Sequence, residues 1–550
     1  MGASSQEAHE AHEAHQTPQT ALATAAAVAQ AAVTEALSES ESAAESVSAL
    51  DAAPLDAAQA LVASAATVVA SAATAHGAPA AFSAPFGDQA GAMGGTSAAA
   101  AGAPPVGESG ASSVDGARAD GAHAVSPLKC GGGILVSQHA SLIFSDSDVS
   151  LCRDHCVLVE HGALALLRGN TISRGRLCGV SVCERGKALL IDNRIGGNKG
   201  PAVCSVDSGD AVLVGNTIKG GLEAGVLISK AGSALIKDNQ LSENARPGVV
   251  VCRGGHAEMR GNRIFSGREE GVWVCEDGSA TIVENEVMGN SHAGVWVSSR
   301  AHVELSHNWI HHGLSEGVVI EDEGSRGVLL SNCIQNHRGP GVVVSSCGEA
   351  ELSENDIHTN WGPGVAVCLE GRALIQKNRI HHGLEAGVLV SSSDAAARVE
   401  ANEIFANERP GVVILSGANP TIRGNRIHGG QENGVWVFEQ GLGELTANEL
   451  FGNVEAEISV ANGAAPLISN NIIQHSEHVG IDVGEACAGR VLNNQFFGKP
   501  KLHVVCKSNG EPGGRARQDG NQLKVQRNQF YTDIRSSGSS AGRRSRRRFS

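Results

Sequence analysis

The chain has 550 residues, a formal net charge of −16, 69 glycines and only 3% aromatic residues. The acidic total excludes a nucleic-acid coat for the whole protein, because phosphate binding needs clustered basic side chains. Few aromatic residues and many glycines exclude a compact aromatic core and favour a stack of small aliphatic side chains. The 13 cysteines are odd in number and scattered, which favours a reducing cytoplasmic or nuclear location over a disulfide framework.

Residues 1–126 form a low-complexity region rich in Ala, Ser, Gly and Pro. Such a segment buries too little apolar surface to offset its ordering entropy, so we predict disorder. The uncharged stretch 57–75 is too weakly apolar for a membrane span, and no signal-peptide pattern opens the chain. His9, His12 and His15 belong to a Glu-Ala-His triplet repeat that we interpret as low-complexity expansion, since this spacing drifts around a helix.

Residues 127–535 repeat with a period of 23 residues, twice lengthened to 24. One asparagine marks each repeat: Asn170, Asn193, Asn216, Asn239, Asn262, Asn285, Asn308, Asn332, Asn355, Asn378, Asn402, Asn425, Asn448, Asn471 and Asn494. Apolar residues stand three before and two after each asparagine, and a β-branched residue stands ten after it. Each repeat therefore predicts short strands separated by turns, with inward and outward positions alternating.

This pattern predicts an all-β, right-handed parallel β-helix solenoid of about 15 coils. The structural rival is a leucine-rich repeat, which also has a period of 20–29 residues and a recurrent asparagine. That repeat needs a large apolar residue eight positions before the asparagine, where this chain has Arg185, Ser208, Ala231 and Gly254. We interpret the asparagines as a structural ladder in which side chains bond to each other and to the turn backbone.

Two further columns of the repeat predict its turns and its lateral contacts. Five residues after the asparagine stands Gly or Asn, such as Gly221 and Asn244, and we expect a corner with positive φ there. Seven residues after it, charges alternate as in Glu223, Arg246 and Glu269, and again in Glu385, Arg409 and Glu432. Neighbours in a column lie about 4.8 Å apart, so we expect opposite charges to face each other.

One outward column, eleven residues after the asparagine, is apolar throughout: Leu227, Val250, Trp273, Trp296, Val319, Val343, Ala366, Leu389, Val413 and Trp436. A continuous exposed apolar stripe is typical of a partner site, and tryptophan is enriched in binding hot spots. We predict a protein partner for this column. A carbohydrate partner stays open as the alternative, since aromatic rings suit pyranose faces.

The segments Ala418–Ile427 and Asn425–Val437 resemble the parallel β-helix repeats of the F-box-only adaptor proteins, and the resemblance covers most of residues 128–500. It implies substrate recognition within a cullin-based ubiquitin ligase. The sequence-based function is therefore a non-catalytic scaffold for protein recognition that could form the substrate-binding part of such an adaptor. The alternative is a carbohydrate-binding or polysaccharide-active β-helix protein.

The sequence offers little for catalysis. Carboxylates of the repeat lie in separated coils, so we expect neither an acid–base pair nor a cofactor. His311, His358, His381 and His428 share the column three after the asparagine. We interpret them as a surface imidazole row, not a metal site, because zinc needs three or four converging ligands.

A basic tail, residues 536–550, ends the sequence. It contains Arg543, Arg544, Arg546, Arg547 and Arg548. Such a cluster is typical of a nuclear address or of an anion-binding or nucleic-acid-binding patch. We expect the tail to be disordered, and deleting residues 543–548 to change the location of the protein. An unchanged distribution would leave the tail a solubilising end.

Overall fold

The structure is a computed structural model. It describes residues 133–474, 478–484, 486–499, 502–506 and 524–531. The low-complexity region 1–126 and the basic tail 536–550, for which we predicted disorder, lie outside the described residues.

The described chain winds as a right-handed solenoid in which each coil adds one strand to each of three parallel sheets, with 17 strands in each sheet. Sheet A contains Ile134–Val136, Val157–Val159, Val180–Val182, Val203–Ser205, Val226–Ile228, Val249–Val251, Val272–Val274, Val295–Val297, Val318–Ile320, Val342–Val344, Val365–Val367, Val388–Ser391, Val412–Leu415, Val435–Val437, Ile458–Val460, Ile481–Val483 and Val504–Cys506. Sheet B contains Ser141–Ser145, Leu164–Arg168, Lys187–Ile191, Asp210–Val214, Ser233–Lys237, His256–Arg260, Ser279–Val283, His302–Ser306, Arg326–Leu330, Glu349–Ser353, Arg372–Gln376, Ala396–Glu400, Thr421–Arg423, Glu444–Thr446, Leu467–Ser469, Arg490–Leu492 and Lys524–Gln526. Sheet C contains Asp148–Ser150, Thr171–Ser173, Arg194–Gly196, Thr217–Lys219, Gln240–Ser242, Arg263–Phe265, Glu286–Met288, Trp309–His311, Cys333–Gln335, Asp356–His358, Arg379–His381, Glu403–Phe405, Arg426–His428, Glu449–Phe451, Ile472–Gln474, Gln495–Phe497 and Gln529–Tyr531.

The predicted all-β solenoid is confirmed, and the leucine-rich alternative is excluded because the regular elements of the described residues are strands without helices. Strands pair in register with the strand one coil away, as Val226 does with Val249 in sheet A. Equivalent residues therefore stack along the solenoid, and one column of the sequence becomes one row on the surface or in the core.

The core is a stack of small aliphatic side chains between the three sheets. Sheet A supplies pairs such as Val272 and Val274, both 0% exposed, and sheet C supplies a single inward residue such as Ile218. Full burial of a valine or isoleucine side chain contributes about 1.5–3 kcal/mol. Because like residues repeat at each level, the core has the same cross-section over many coils.

The asparagine ladder occupies the turn between sheet B and sheet C. The backbone N–H and Nδ2 of Asn193 both donate to Oδ1 of Asn216, at 2.9 and 3.0 Å, and Nδ2 also donates to the carbonyl of Leu167. The same contacts run through all fifteen asparagines of the repeat. The ladder then continues to Asn528, which accepts from Asn494 although it lies 34 positions away.

The predicted positive φ at the corner five residues after the asparagine is wrong. The left-handed residue is the preceding one, such as Gly220 with φ 67° or Glu243 with φ 54°. Glycine and asparagine alternate at the corner for a different reason. Gly221 N–H donates to Oδ1 of Asn244 at 3.1 Å, and a Cβ on Gly221 would lie only 3.3 Å from that oxygen. The asparagine side chains of this column thus form a second ladder, and they fill the space left open by the glycines, which have no Cβ.

Candidate functional site

The predicted apolar column lies on the outer face of sheet A and forms one row, here called the apolar row. Its neighbours are paired in register, from Leu227 with Val250 to Val413 with Trp436. The row contains Leu227, Val250, Trp273, Trp296, Val319, Val343, Ala366, Leu389, Val413 and Trp436. Most of these side chains are half-buried, whereas Val250, Ala366 and Val413 are buried. The apolar row therefore exposes less apolar surface than a fully open patch would.

The tryptophans of the apolar row do not form one cluster. Trp273 and Trp296 stack with ring centroids 5.3 Å apart and planes 13° apart. Trp436 stands six coils beyond Trp296, roughly 29 Å at about 4.8 Å per coil. It stacks at 4.0 Å on Phe438, the residue that follows its strand. Each ring covers one face of the other, and the register places Val250 and Val319 on the two outer sides of the pair. This geometry removes the pyranose-stacking argument for sugar binding at the Trp273–Trp296 pair.

Both indole N–H groups of this pair are engaged. Trp273 donates to Oγ of Ser298 at 3.3 Å, and Trp296 donates to Oε1 of Glu321 at 2.9 Å. Burial raises the pKa of Glu321, and the bond from Trp296 opposes that rise. The indoles are thus held in place by polar partners one coil further along.

A second surface, on the outer face of sheet C, carries five rings in consecutive coils. We call His358, His381, Phe405, His428 and Phe451 the ring row. Successive centroids are 4.9, 4.5, 5.3 and 4.6 Å apart, with interplanar angles of 1°, 19°, 7° and 7°. From the histidines of this column alone, we predicted a row of imidazoles. Including Phe405 and Phe451 shows a continuous aromatic stack.

Beside the ring row, on the same strands, runs a row of alternating charges. We call Asp356, Arg379, Glu403, Arg426 and Glu449 the charge row. Arg379 lies 3.4 Å from Asp356 and 3.7 Å from Glu403, and Arg426 lies 3.2 Å from Glu403 and 3.3 Å from Glu449. The arginine side chains are about half exposed, so each pair contributes at most about 1 kcal/mol.

The two rows contact each other. Nε2 of His381 lies 2.8 Å from Oδ1 of Asp356, and Nε2 of His428 lies 3.5 Å from Oε1 of Glu403. Burial lowers the pKa of both histidines, and the adjacent carboxylates oppose that shift. The guanidinium of Arg379 lies over the Phe405 ring at 5.5 Å. The rows therefore form one polar-aromatic face.

The charge column seven residues after the asparagine is only partly paired in the predicted way. Arg246 Nη1 lies 2.6 Å from Glu269, and Arg409 Nη1 lies 2.5 Å from Glu432. His292 instead contacts Glu270, at 3.1 Å. Side chains of one column thus meet where an arginine is long enough to reach the next coil.

Across the described ranges, no helix is long and apolar enough to cross a membrane. Within the same ranges, no three His, Cys, Asp or Glu side chains come together as a metal site. A surface depression spans three consecutive coils and is lined by Gly220, Gly221, Leu222, Glu243, Ala245, Ser266 and Arg268. The ring and charge rows lie elsewhere, on the outer face of sheet C.

Comparison with known proteins supports the architecture. The family described as "Right handed beta helix region" matches residues 132–287, 259–402 and 366–530. No curated protein sequence matches the chain. Similar solved structures include two Azotobacter vinelandii proteins, the A-modules of mannuronan C-5 epimerases AlgE6 and AlgE4. They are 13% and 14% identical, with TM-scores of 0.38 and 0.35; the alignments cover 63% and 55% of this chain and 91% of each module.

The catalytic domain of Agl-KA is 12% identical, with a TM-score of 0.25, and the alignment covers 60% of this chain and 63% of that domain. These likenesses concern the fold alone. The family match extends over most of the repeat region and agrees with the three parallel sheets of the structure. The chain belongs to the right-handed beta-helix family.

Proposed function

We propose that this protein binds a neutral, linear polysaccharide along the outer face of sheet C. One observation carries the proposal: the ring row and the charge row run side by side through five consecutive coils. A polysaccharide is also a linear repeat, and a chain lying along the solenoid meets one charged side chain and one ring at each level. This array supports the carbohydrate alternative better than it supports protein recognition.

Hydrogen bonding, not ring stacking, supplies the recognition in this proposal. The rings of the ring row cover each other's faces and present their edges. Beside them, the guanidinium groups of Arg379 and Arg426 are about half exposed, and the carboxylates of Glu403 and Glu449 that they contact are partly exposed. Forks and carboxylates bind adjacent hydroxyl groups through paired donors and acceptors. Hydroxyl-rich sugars match this set, with the ring edges against their C–H groups.

The charges favour a neutral polymer over a polyanion. The charge row has three acids and two bases, and the whole chain carries a formal charge of −16. A polyanionic chain would meet net repulsion from such a surface, and this repulsion would slow its association. A neutral polysaccharide avoids this repulsion and still uses every donor and acceptor of the row.

Protein recognition is the second candidate function, and the apolar row favours it. A half-buried Trp273–Trp296 pair within a long apolar row resembles a binding hot spot more than a sugar platform. The finer role, as the substrate-binding part of a ubiquitin-ligase-type adaptor, rests on the repeat resemblance alone.

The test compares two variants of the full chain on arrays of neutral and acidic polysaccharides. The sheet C variant, R379Q/F405Q/R426Q/F451Q, uses glutamine because Gln335 and Gln474 occupy the ring column naturally, as Gln240 and Gln495 occupy the charge column. The matched sheet A variant is W273S/W296S/W436S.

We expect the wild-type chain to bind neutral polymers and the sheet C variant to bind at least about tenfold more weakly, since a hydrogen bond to a charged group contributes about 1.5–3 kcal/mol. The sheet A variant should bind like wild type. Equal binding by wild type and the sheet C variant, a preference for acidic polymers, or binding to none of the polymers would each overturn the proposal. In a pull-down from native cells, loss of protein capture by the sheet A variant alone would favour the second candidate.

A further inference from the structure

Two pairs of adjacent histidines stand at the end of sheet C strands, and one member of the second pair, His381, also belongs to the ring row. In the first pair, Nδ1 of His311 lies 2.7 Å from Nδ1 of His312. The ring centroids are 4.9 Å apart and the planes meet at 84°. His311 is buried, whereas His312 is exposed to solvent. The two nitrogens therefore converge at a point that solvent can reach.

The second pair, three coils further along, repeats this geometry. Nδ1 of His381 lies 2.7 Å from Nδ1 of His382, with ring centroids 4.9 Å apart and planes at 85°. His382 is exposed, like His312. Two independent coils thus hold the same arrangement of imidazoles, which indicates that the local backbone produces it.

The backbone explains the convergence. His311 and His381 are the last residues of their strands, and the next residue in each case has a positive φ, 56° at His312 and 53° at His382. This left-handed turn folds the second imidazole back against the first. Neighbouring coils without a second histidine use the same turn, with Thr359 at φ 57° and Ala406 at φ 55°.

A carboxylate from the preceding part of sheet C lies beside the inner imidazole in each pair. Nε2 of His381 contacts Asp356 at 2.8 Å, whereas Nε2 of His311 lies 3.4 Å from Glu286 and makes no hydrogen bond to the described residues. A carboxylate on one ring nitrogen fixes the ring orientation and leaves the other nitrogen as a ligand, as is common around protein metal ions. In both pairs the nitrogen left over is the Nδ1 that faces the second histidine.

We propose that each pair, His311 with His312 and His381 with His382, chelates one divalent transition-metal ion such as Cu(II) or Ni(II) through its two Nδ1 atoms. Among the described residues, neither pair has a third His, Cys, Asp or Glu ligand, so water completes the coordination. Two imidazoles plus water suit the tetragonal geometry of Cu(II) or Ni(II) better than the closed tetrahedral site of structural zinc. Metal binding displaces the proton that lies between the two Nδ1 atoms; Nε2 of the exposed second histidine takes up a proton, so both imidazoles bind as neutral ligands.

The test is a titration of the full chain with Cu(II), read by calorimetry and by electron paramagnetic resonance. A background variant, H9A/H12A/H15A, removes the histidine triplet repeat as a competing source of ligands. In this background we expect H312A/H382A to lose two equivalents of bound Cu(II), together with the signal of two nitrogen ligands. Alanine is compatible with the turn, because Ala406 occupies the equivalent position.

The control is H302A/H307A, which removes two exposed imidazoles that lie outside both pairs and outside the ring row. It should keep both equivalents. Unchanged Cu(II) uptake in H312A/H382A, an equal loss in the control, or no uptake by the background variant would overturn the proposal. Circular dichroism of each variant shows whether the solenoid is intact. The inference does not depend on polysaccharide binding, and each can fail without the other.

Discussion

Oδ1 of Asn239 accepts two hydrogen bonds from Asn216, one from the backbone N–H at 2.8 Å and one from Nδ2 at 2.9 Å. Nδ2 of Asn216 also donates to the carbonyl of Leu190 at 2.9 Å. Each of these side chains thus satisfies a backbone group of the preceding coil. Because the asparagines are fully buried, the ladder stabilises the fold and leaves binding to the outer faces.

Replacing Asn262 by alanine should be strongly destabilising. The change removes the acceptor of two bonds from Asn239 and the donor to Ile236, whose carbonyl lies 2.7 Å from Nδ2. Each buried group left without a partner costs about 1–3 kcal/mol, so we expect a total loss of about 3 kcal/mol or more. Urea unfolding, combined with hydrogen exchange of the flanking coils, measures it.

Asn470→Ala provides the control for this substitution. Asn470 is exposed and has a φ of 58°, and the equivalent position one coil earlier is Ala447 with a φ of 55°. We expect a change within about 0.5 kcal/mol. Similar urea midpoints for the Asn262 and Asn470 variants would contradict a structural ladder.

His337 predicts a pH dependence of stability. It replaces asparagine in the second ladder, is 1% exposed, and its Nε2 donates to the carbonyl of Ile310 at 3.0 Å. Burial lowers its pKa from 6.5 to about 4. Between these values the unfolded chain binds a proton that the folded chain does not. Its contribution is therefore fully present above about pH 6.5 and is lost as the pH falls through about 4.

His337→Asn should remove this dependence, because asparagine fills the equivalent position two coils earlier, at Asn290, and one coil later, at Asn360. Between neutral pH and pH 4, the free energy of unfolding should fall on the order of 3 kcal/mol further in wild type than in His337→Asn. Urea midpoints across this range measure the slope, with His302→Asn on the exposed face of sheet B as the control. Parallel pH profiles for wild type and His337→Asn would show that the buried imidazole is not responsible.

The contact between Arg246 and Glu269 predicts a charge-specific effect. Arg246→Glu should lower stability more than Arg246→Ala, because it places like charges where Nη1 now lies 2.6 Å from the carboxylate. The side chains are partly exposed, so the difference should be about 1 kcal/mol or less and should shrink in high salt. Identical melting temperatures for the two variants at low salt would contradict the contact.

The stacked tryptophans should give exciton coupling in circular dichroism. Rings 5.3 Å apart and within 13° of parallel are close enough for their transitions to couple. We expect Trp273→Phe and Trp296→Phe each to remove the couplet, while Trp436→Phe leaves it. A couplet that survives both of the first two changes would show that these indoles do not stack.

The sequence predicts the solenoid well because one residue type at a fixed period marks every coil. The same reasoning missed Asn528, since a longer connection places it 34 positions after Asn494. It also predicted the wrong conformation at Gly221 and Asn244. Composition alone does not distinguish a glycine needed for its φ from one needed to leave room for a neighbouring side chain.

The candidate sites were less predictable. The ring row mixes histidine with phenylalanine, so a search for one residue type finds only part of it. Convergence of Nδ1 atoms in the His381–His382 pair depends on a left-handed turn and on side-chain torsions. Neither the turn nor the torsions can be predicted from the residue types at one position of the repeat. The apolar row was predicted in position, but only the structure shows that Trp273 and Trp296 each cover one face of the other.

The most direct test of polysaccharide binding on sheet C is hydroxyl-radical footprinting of the full chain, with and without a neutral polysaccharide that it binds. The rings of Phe405 and Phe451 are partly exposed and reactive, and a bound chain should reduce their oxidation. Oxidation of Trp273 and Trp296 on sheet A should stay unchanged in the same sample. Protection of these tryptophans without protection of Phe405 and Phe451 would contradict the account.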